Sequence, residues 1–168
     1  MADTYATLTG LRNAMQAFAE AAVTVGNVLT HYEPIPKKRE WLDTYMVEIG
    51  GEMELRGMLI SPSSPFQDPK IAAVGAGNLN IEDTYHFDLT VFRAAESSDD
   101  TERQAALERA CDIVDALRTN WNLTAYSVSV SRAMASIQRH GFGMVGGRGC
   151  WLTEISVSYV VNQDYAVT

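Results

Sequence analysis

Several features common in enzymes and nucleic-acid proteins are scarce in this sequence. It has two cysteines in 168 residues, Cys111 and Cys150, far apart and outside any CxxC pair. That spacing gives no basis for a zinc site or a disulfide framework, and two reduced, buried thiols are expected. Basic side chains are few: 13 Lys and Arg against 21 Asp and Glu, a net charge of −8. Tight binding to a phosphate backbone rests on clustered cations, so this balance disfavours nucleic-acid recognition. The one dense basic run, Lys37-Lys38-Arg39, is followed directly by Glu40 and reads as a solvated turn. No apolar run approaches the ~20 residues of a membrane-spanning helix. The opening Met1-Ala2-Asp3-Thr4-Tyr5 has no basic segment leading into an apolar one, so no secretory leader is expected.

Motifs of chemistry are equally thin. The three histidines, His31, His86 and His140, share no metal-ligand spacing, and there is no HExxH and no GxSxG. Gly141-x-Gly143-x-x-Gly146 matches a dinucleotide-binding pattern on paper. That motif works only between a strand and a helix, where helix N-terminal amides meet a pyrophosphate, and here strand-like residues follow it. His86 and Asp88 lie on the same side of a strand and are the best acid–base pair, although an ordinary sheet face is the simpler reading. No cofactor and no metal are expected.

What is present is ordinary globular material: 46% hydrophobic and 20% charged residues. A chain this long buries roughly 70% of its unfolded surface as one domain, so residues 1–168 are read as a single unit. Leu8, Leu11, Met15, Phe18, Ala22 and Val25 recur at steps of three and four, which predicts a helix over 8–25 with Thr7 as N-cap and Gly26-Asn27 as the stop. Residues 28–32 read as a short strand; 45–49 read as another, closed by Gly50-Gly51, with a short helix starting at Pro36 as the alternative. From 51 to 80 the prolines Pro62, Pro65 and Pro69 and the run Gly75-Ala76-Gly77 predict a long projecting loop with Phe66 at its tip, with Met58-Leu59-Ile60 and Ile71-Ala72-Ala73-Val74 as candidate short strands within it. Residues 84–94 form the clearest strand, with Tyr85, Phe87, Leu89 and Val91 on one side and His86, Asp88, Thr90 and Phe92 on the other. Asp99 and Glu102 make a capping-box pattern ahead of a helix over 100–119. Its apolar stripe takes Ala106 or Leu107, Ala110 or Cys111, then Val114, Leu117 and Trp121. Alternation over 126–137 and 151–161, joined by the glycine-rich 141–149, predicts a terminal antiparallel pair. The fold class is therefore α+β: a largely antiparallel sheet with two main helices packed on one face.

This order of elements resembles the tail terminator and related minor tail proteins of long-tailed bacteriophages. The likeness is carried by Leu8-Thr9-Gly10-Leu11-Arg12-Asn13-Ala14 in the opening helix and Tyr32-Glu33-Pro34 after the first strand. It continues through Glu82-Asp83-Thr84-Tyr85-His86-Phe87-Asp88-Leu89-Thr90-Val91, Ile113-Val114-Asp115-Ala116-Leu117-Arg118 and Leu152-Thr153-Glu154-Ile155-Ser156-Val157-Ser158-Tyr159. The resemblance implies a structural virion protein at the neck-proximal end of the tail, assembled in the host cytoplasm. It implies a homo-oligomeric ring, usually a hexamer, that caps the tail tube, ends its polymerisation and joins it to a neck or head-completion protein. DNA would pass through the lumen without specific binding, as the net charge suits, and no membrane is involved. The candidate residues for contacts between subunits or rings are Arg39, Trp41, Phe66, Asp68, Lys70 and Tyr165. The rivals are another head–tail junction or tube protein and, in a different class, a small oligomeric α+β enzyme with an interface site at His86 and Asp88.

Overall fold

The computed structural model describes residues 4–21, 25–30, 45–49, 51–75, 78–95, 99–120, 130–145 and 147–166. In chain order the elements are α1 (Thr4–Ala21), β1 (Asn27–Thr30), β2 (Met46–Ile49), β3 (Glu52–Gly75), β4 (Asn78–Ala94), α2 (Asp100–Thr119), β5 (Arg132–Val145) and β6 (Arg148–Ala166). Among the described residues, two helices and a mixed sheet of six strands make the fold α+β. Strand order is β1-β3-β4-β6-β5, with β2 paired to β3. Among the described residues only β1 runs parallel to its neighbour; the other pairings are antiparallel.

The core follows from alternation. Tyr85, Phe87, Leu89 and Val91 of β4 are all buried, and their cross-strand partners Tyr159, Val157, Ile155 and Thr153 are buried too. Met58 and Ile60 of β3 join the same cluster. So do Leu8, Leu11, Ala14, Met15 and Ala19 of α1 and Ala110, Ile113, Val114 and Leu117 of α2. Each such aliphatic side chain taken from water contributes about 1.5–3 kcal/mol. Phe92 faces the opposite side of the sheet, yet it is buried as well, in a second cluster with Tyr45, Leu55 and Cys150. Its ring meets Tyr45 edge-on at 4.6 Å.

α2 begins as its residues dictate. The Asp99 carboxylate accepts the Glu102 amide at 2.9 Å, which satisfies one of the first-turn donors. α1 differs from expectation: it starts at Thr4, so Thr7 lies within the helix and does not cap it, and it ends at Ala21. Val25, placed last on the helical stripe, is buried outside the helix, and Ala22 falls outside the described residues. Among the described residues no helix is long and apolar enough to cross a membrane.

Two segments expected mainly as loops are strands, and the short strands considered at 58–60 and 71–74 are parts of one long strand. Residues 52–75 form β3, which pairs with β4 down to Gly75↔Asn78. The prolines were the misleading signal. A proline removes an amide donor, but on an edge strand that donor would face solvent. Among the described residues β1 and β2 cover β3 only up to residue 60, and Pro62, Pro65 and Pro69 come directly after. Likewise the glycine-rich 141–149 is mostly β-ladder, with Gly141, Phe142, Gly143 and Met144 paired to Leu152, Trp151, Cys150 and Gly149. Only the turn remains, where Gly147 takes the left-handed region at φ +87°. Gly57 is needed for another reason. A Cβ there would lie 2.7 Å from the Asn27 carbonyl oxygen and run into the Tyr45 ring, so glycine lets β1 and Tyr45 approach β3.

Both cysteines are free, but Cys111 is exposed and only Cys150 is buried. α2 buries Ala106 and Ala110 in its stripe, which turns Cys111 outward.

Candidate functional site

β4 and β6 pair without interruption along all of Asn78–Ala94, and β3 follows them to the same end. At ~3.4 Å per residue, positions 78–83 carry the sheet roughly 20 Å past Tyr85. Among the described residues this extension has three strands, β3, β4 and β6, and we call it an arm. Cross-strand pairing lines up Ile71 with Ile81 and Gln163, then Val74 with Leu79 and Tyr165. Those β4 positions are in phase with Tyr85 and Phe87, so the arm continues the alternation that builds the core. Ile71 and Val74 are nonetheless 70% and 75% exposed, and Ile81 and Leu79 are half-buried.

The arm is anchored by a polar lock. Pro62 pairs with Phe87 and Gln67 with Tyr85, so residues 63–66 bulge out opposite His86 alone. The bulge leaves Phe66 44% exposed. Gln67 Nε2 then donates to the buried Asp83 carboxylate at 2.9 Å. On the next row Gln163 Nε2 reaches the Tyr85 hydroxyl at 3.4 Å.

Of the six candidate contact residues, the arm gathers four. Phe66, Asp68 and Lys70 are exposed on β3, with Lys70 Nζ 3.6 Å from Asp68. Both partners are more than half exposed, so this ion pair adds little stability. Tyr165 sits in register with Leu79 at the far end. Arg39 and Trp41 lie outside the described residues. Ile71, Val74, Leu79 and Ile81 were missed, although Leu79 and Ile81 extend the period-two pattern of the clearest strand backwards through the supposed loop.

His86 and Asp88 are not assembled into a dyad. His86 Nδ1 is 2.8 Å from the Ser158 hydroxyl, its cross-strand partner, while Asp88 is exposed. Among the described residues no cluster of three or more His, Cys, Asp or Glu is placed to hold a metal ion.

At the opposite end of the sheet, His140 stacks on Trp151 with ring centroids 5.4 Å apart, and its Nδ1 lies 2.8 Å from the Thr153 hydroxyl. Burial, and then the positive charge of Arg103, pushes the His140 pKa down from the ordinary value. The fold therefore favours neutral His140. In the unfolded chain this imidazole takes a proton near pH ~6.5. The stability tied to its neutrality is complete above that pH and is lost as pH falls toward the lower folded value. Between pH 7.5 and 5.5 the melting temperature of the natural chain should fall more than that of His140→Gln; parallel curves in thermal denaturation would refute this.

No protein-family model matches the sequence, and no curated protein matches it either.

Proposed function

We propose that this chain is a ring-forming structural protein of the phage tail–neck junction, of the tail-terminator kind, acting by surface recognition without turnover. The observation that carries this reading is the arm. Its sheet face continues the apolar core pattern, yet Ile71 and Val74 stand in water. Exposed apolar surface in such a row marks an interaction site. In this reading both helices cover one face of the sheet over its core half, and a neighbouring copy covers the arm. A closed ring satisfies every arm in the same way, because each subunit presents an arm to the next and receives one in turn. Support for the tail assignment comes from the sequence resemblance and from the net charge of −8, which suits a lumen that DNA passes through without sticking.

The test is native mass and negative-stain imaging of the purified chain, alone and with assembled tail tubes. A closed ring, hexameric by the resemblance, that seats on tube ends and stops their growth is expected. A monomer at all concentrations that leaves tube length unchanged would remove the proposal.

A further inference from the structure

In an antiparallel ladder successive residues turn their backbone N–H and C=O groups to opposite sides of the strand. Two bonds fix that phase here. The Ala95 amide donates to the Gly149 carbonyl at 3.1 Å, one rung beyond Ala94↔Cys150. The β4–β6 register has no shift, so odd-numbered residues of β6 turn their backbone groups to β4 and even-numbered ones to β5. The Val160 carbonyl agrees, since it accepts from the Ser131 amide at 2.8 Å. Arg132, Met134 and Ser136 oppose Val160, Ser158 and Ser156 and therefore bond to β6. Ala133 and Ala135, which alternate with them, aim their N–H and C=O groups outward, off the edge of the sheet.

β5 is the last strand in the sheet order, and among the described residues no strand pairs with its outer side. It is 14 residues long, contains no proline and exposes Met134, Phe142 and Met144. A long apolar edge of this kind is a template for a further strand. On β3 the prolines Pro62, Pro65 and Pro69 deny a partner strand its donors. β5 has no such device in its own sequence.

α2 supplies one. Arg118, in the last turn of that helix, donates to the Ala135 carbonyl from Nε at 3.0 Å and from Nη2 at 2.7 Å. Its Nη1 lies 3.5 Å from the Asp115 carboxylate. Two guanidinium donors thus converge on an outward carbonyl, and an added strand would meet the guanidinium in place of a free acceptor. Further along, the register slips after Ile137 and leaves Gln138 out, a bulge that bends the edge. We propose that Arg118 is an edge guard: by occupying the Ala135 carbonyl it keeps β5 from pairing with the β5 of a second copy of this chain. The partner is β5 itself, because two copies of one edge related by a twofold axis meet antiparallel. The guarded strand is not one of the three that form the arm, and the proposal holds whether or not the chain forms a ring.

The test is the mass of Arg118→Met by sedimentation velocity across a micromolar concentration series. Methionine keeps an unbranched apolar stem and removes every donor. The mass should rise at least about twofold above that of the natural chain at the same concentration, since pairing joins two copies. Adding Ala133→Pro should reverse the rise, because that proline removes an outward N–H and no bond to β6. Comparison with the natural chain at each concentration separates this outcome from any ring the chain forms. An unchanged mass in folded Arg118→Met would overturn the proposal. A raised mass that Ala133→Pro leaves in place would overturn it too, by putting the association elsewhere. If Arg118→Met does not fold, Arg118→Gln, with one amide on a shorter stem, makes the same comparison.

Discussion

Phe87→Asp abolishes cooperative unfolding. Phe87 is fully buried, paired with Val157 across β4–β6 and in ring contact with Tyr159 at 6.4 Å. Removing a buried phenylalanine costs about 3–5 kcal/mol. Placing a carboxylate there without a partner adds several more. Against a total stability of ~5–15 kcal/mol, the sum leaves no folded state. The exposed neighbour one residue on provides the control, since Asp88→Ala should stay within about 0.5 kcal/mol of the natural chain. Urea unfolding followed by circular dichroism measures both. A Phe87→Asp chain with a normal sigmoidal transition would mean the strand faces are assigned the wrong way round.

The second large effect is on assembly and spares the subunit. The double variant Ile71→Glu, Val74→Glu should keep the natural melting temperature, because both side chains already stand in solvent. If the chain forms the proposed ring, that oligomer should dissociate. Two aliphatic side chains buried against a neighbour contribute about 2 kcal/mol each, so the pair accounts for roughly a thousandfold in the dissociation constant. Light scattering should show the ring mass giving way to the monomer at micromolar protein, and tube capping should be lost with it. Rings of normal mass from a well-folded double variant would show that the arm face is not the joint. A large fall in melting temperature would show instead that Ile71 and Val74 support the subunit.

The core was legible in the sequence because its signal is local. Tyr85, Phe87, Leu89 and Val91 alternate with polar residues, and nothing but a half-buried strand satisfies that pattern. The Asp99 cap was legible for the same reason, since donor and acceptor lie three residues apart. The arm was not. Pro62, Pro65 and Pro69 break a central strand but not an edge, and whether a strand lies at an edge depends on partners far along the chain. The glycines of 141–149 misled in the same direction. Phe142 and Trp151 pack edge-on at 5.4 Å across that ladder, and the ring of Phe142 fills the space where a side chain on Gly149 would stand.

The central ladder of β4 and β6 also sets the order of events as the chain folds. His86 and Ser158, one rung of it, are 72 residues apart. The β3–β4 and β5–β6 hairpins close over short turns and form locally, within ~1–10 μs for simple hairpins. Neither is self-sufficient, because two strands alone are marginal in water. Commitment falls to the docking of one hairpin on the other, with all of α2 in the connecting loop. That is a high-contact-order step, of the kind that folds on the millisecond-to-second scale. Until it is complete, the β4 and β6 edges destined for each other stay open to any other strand.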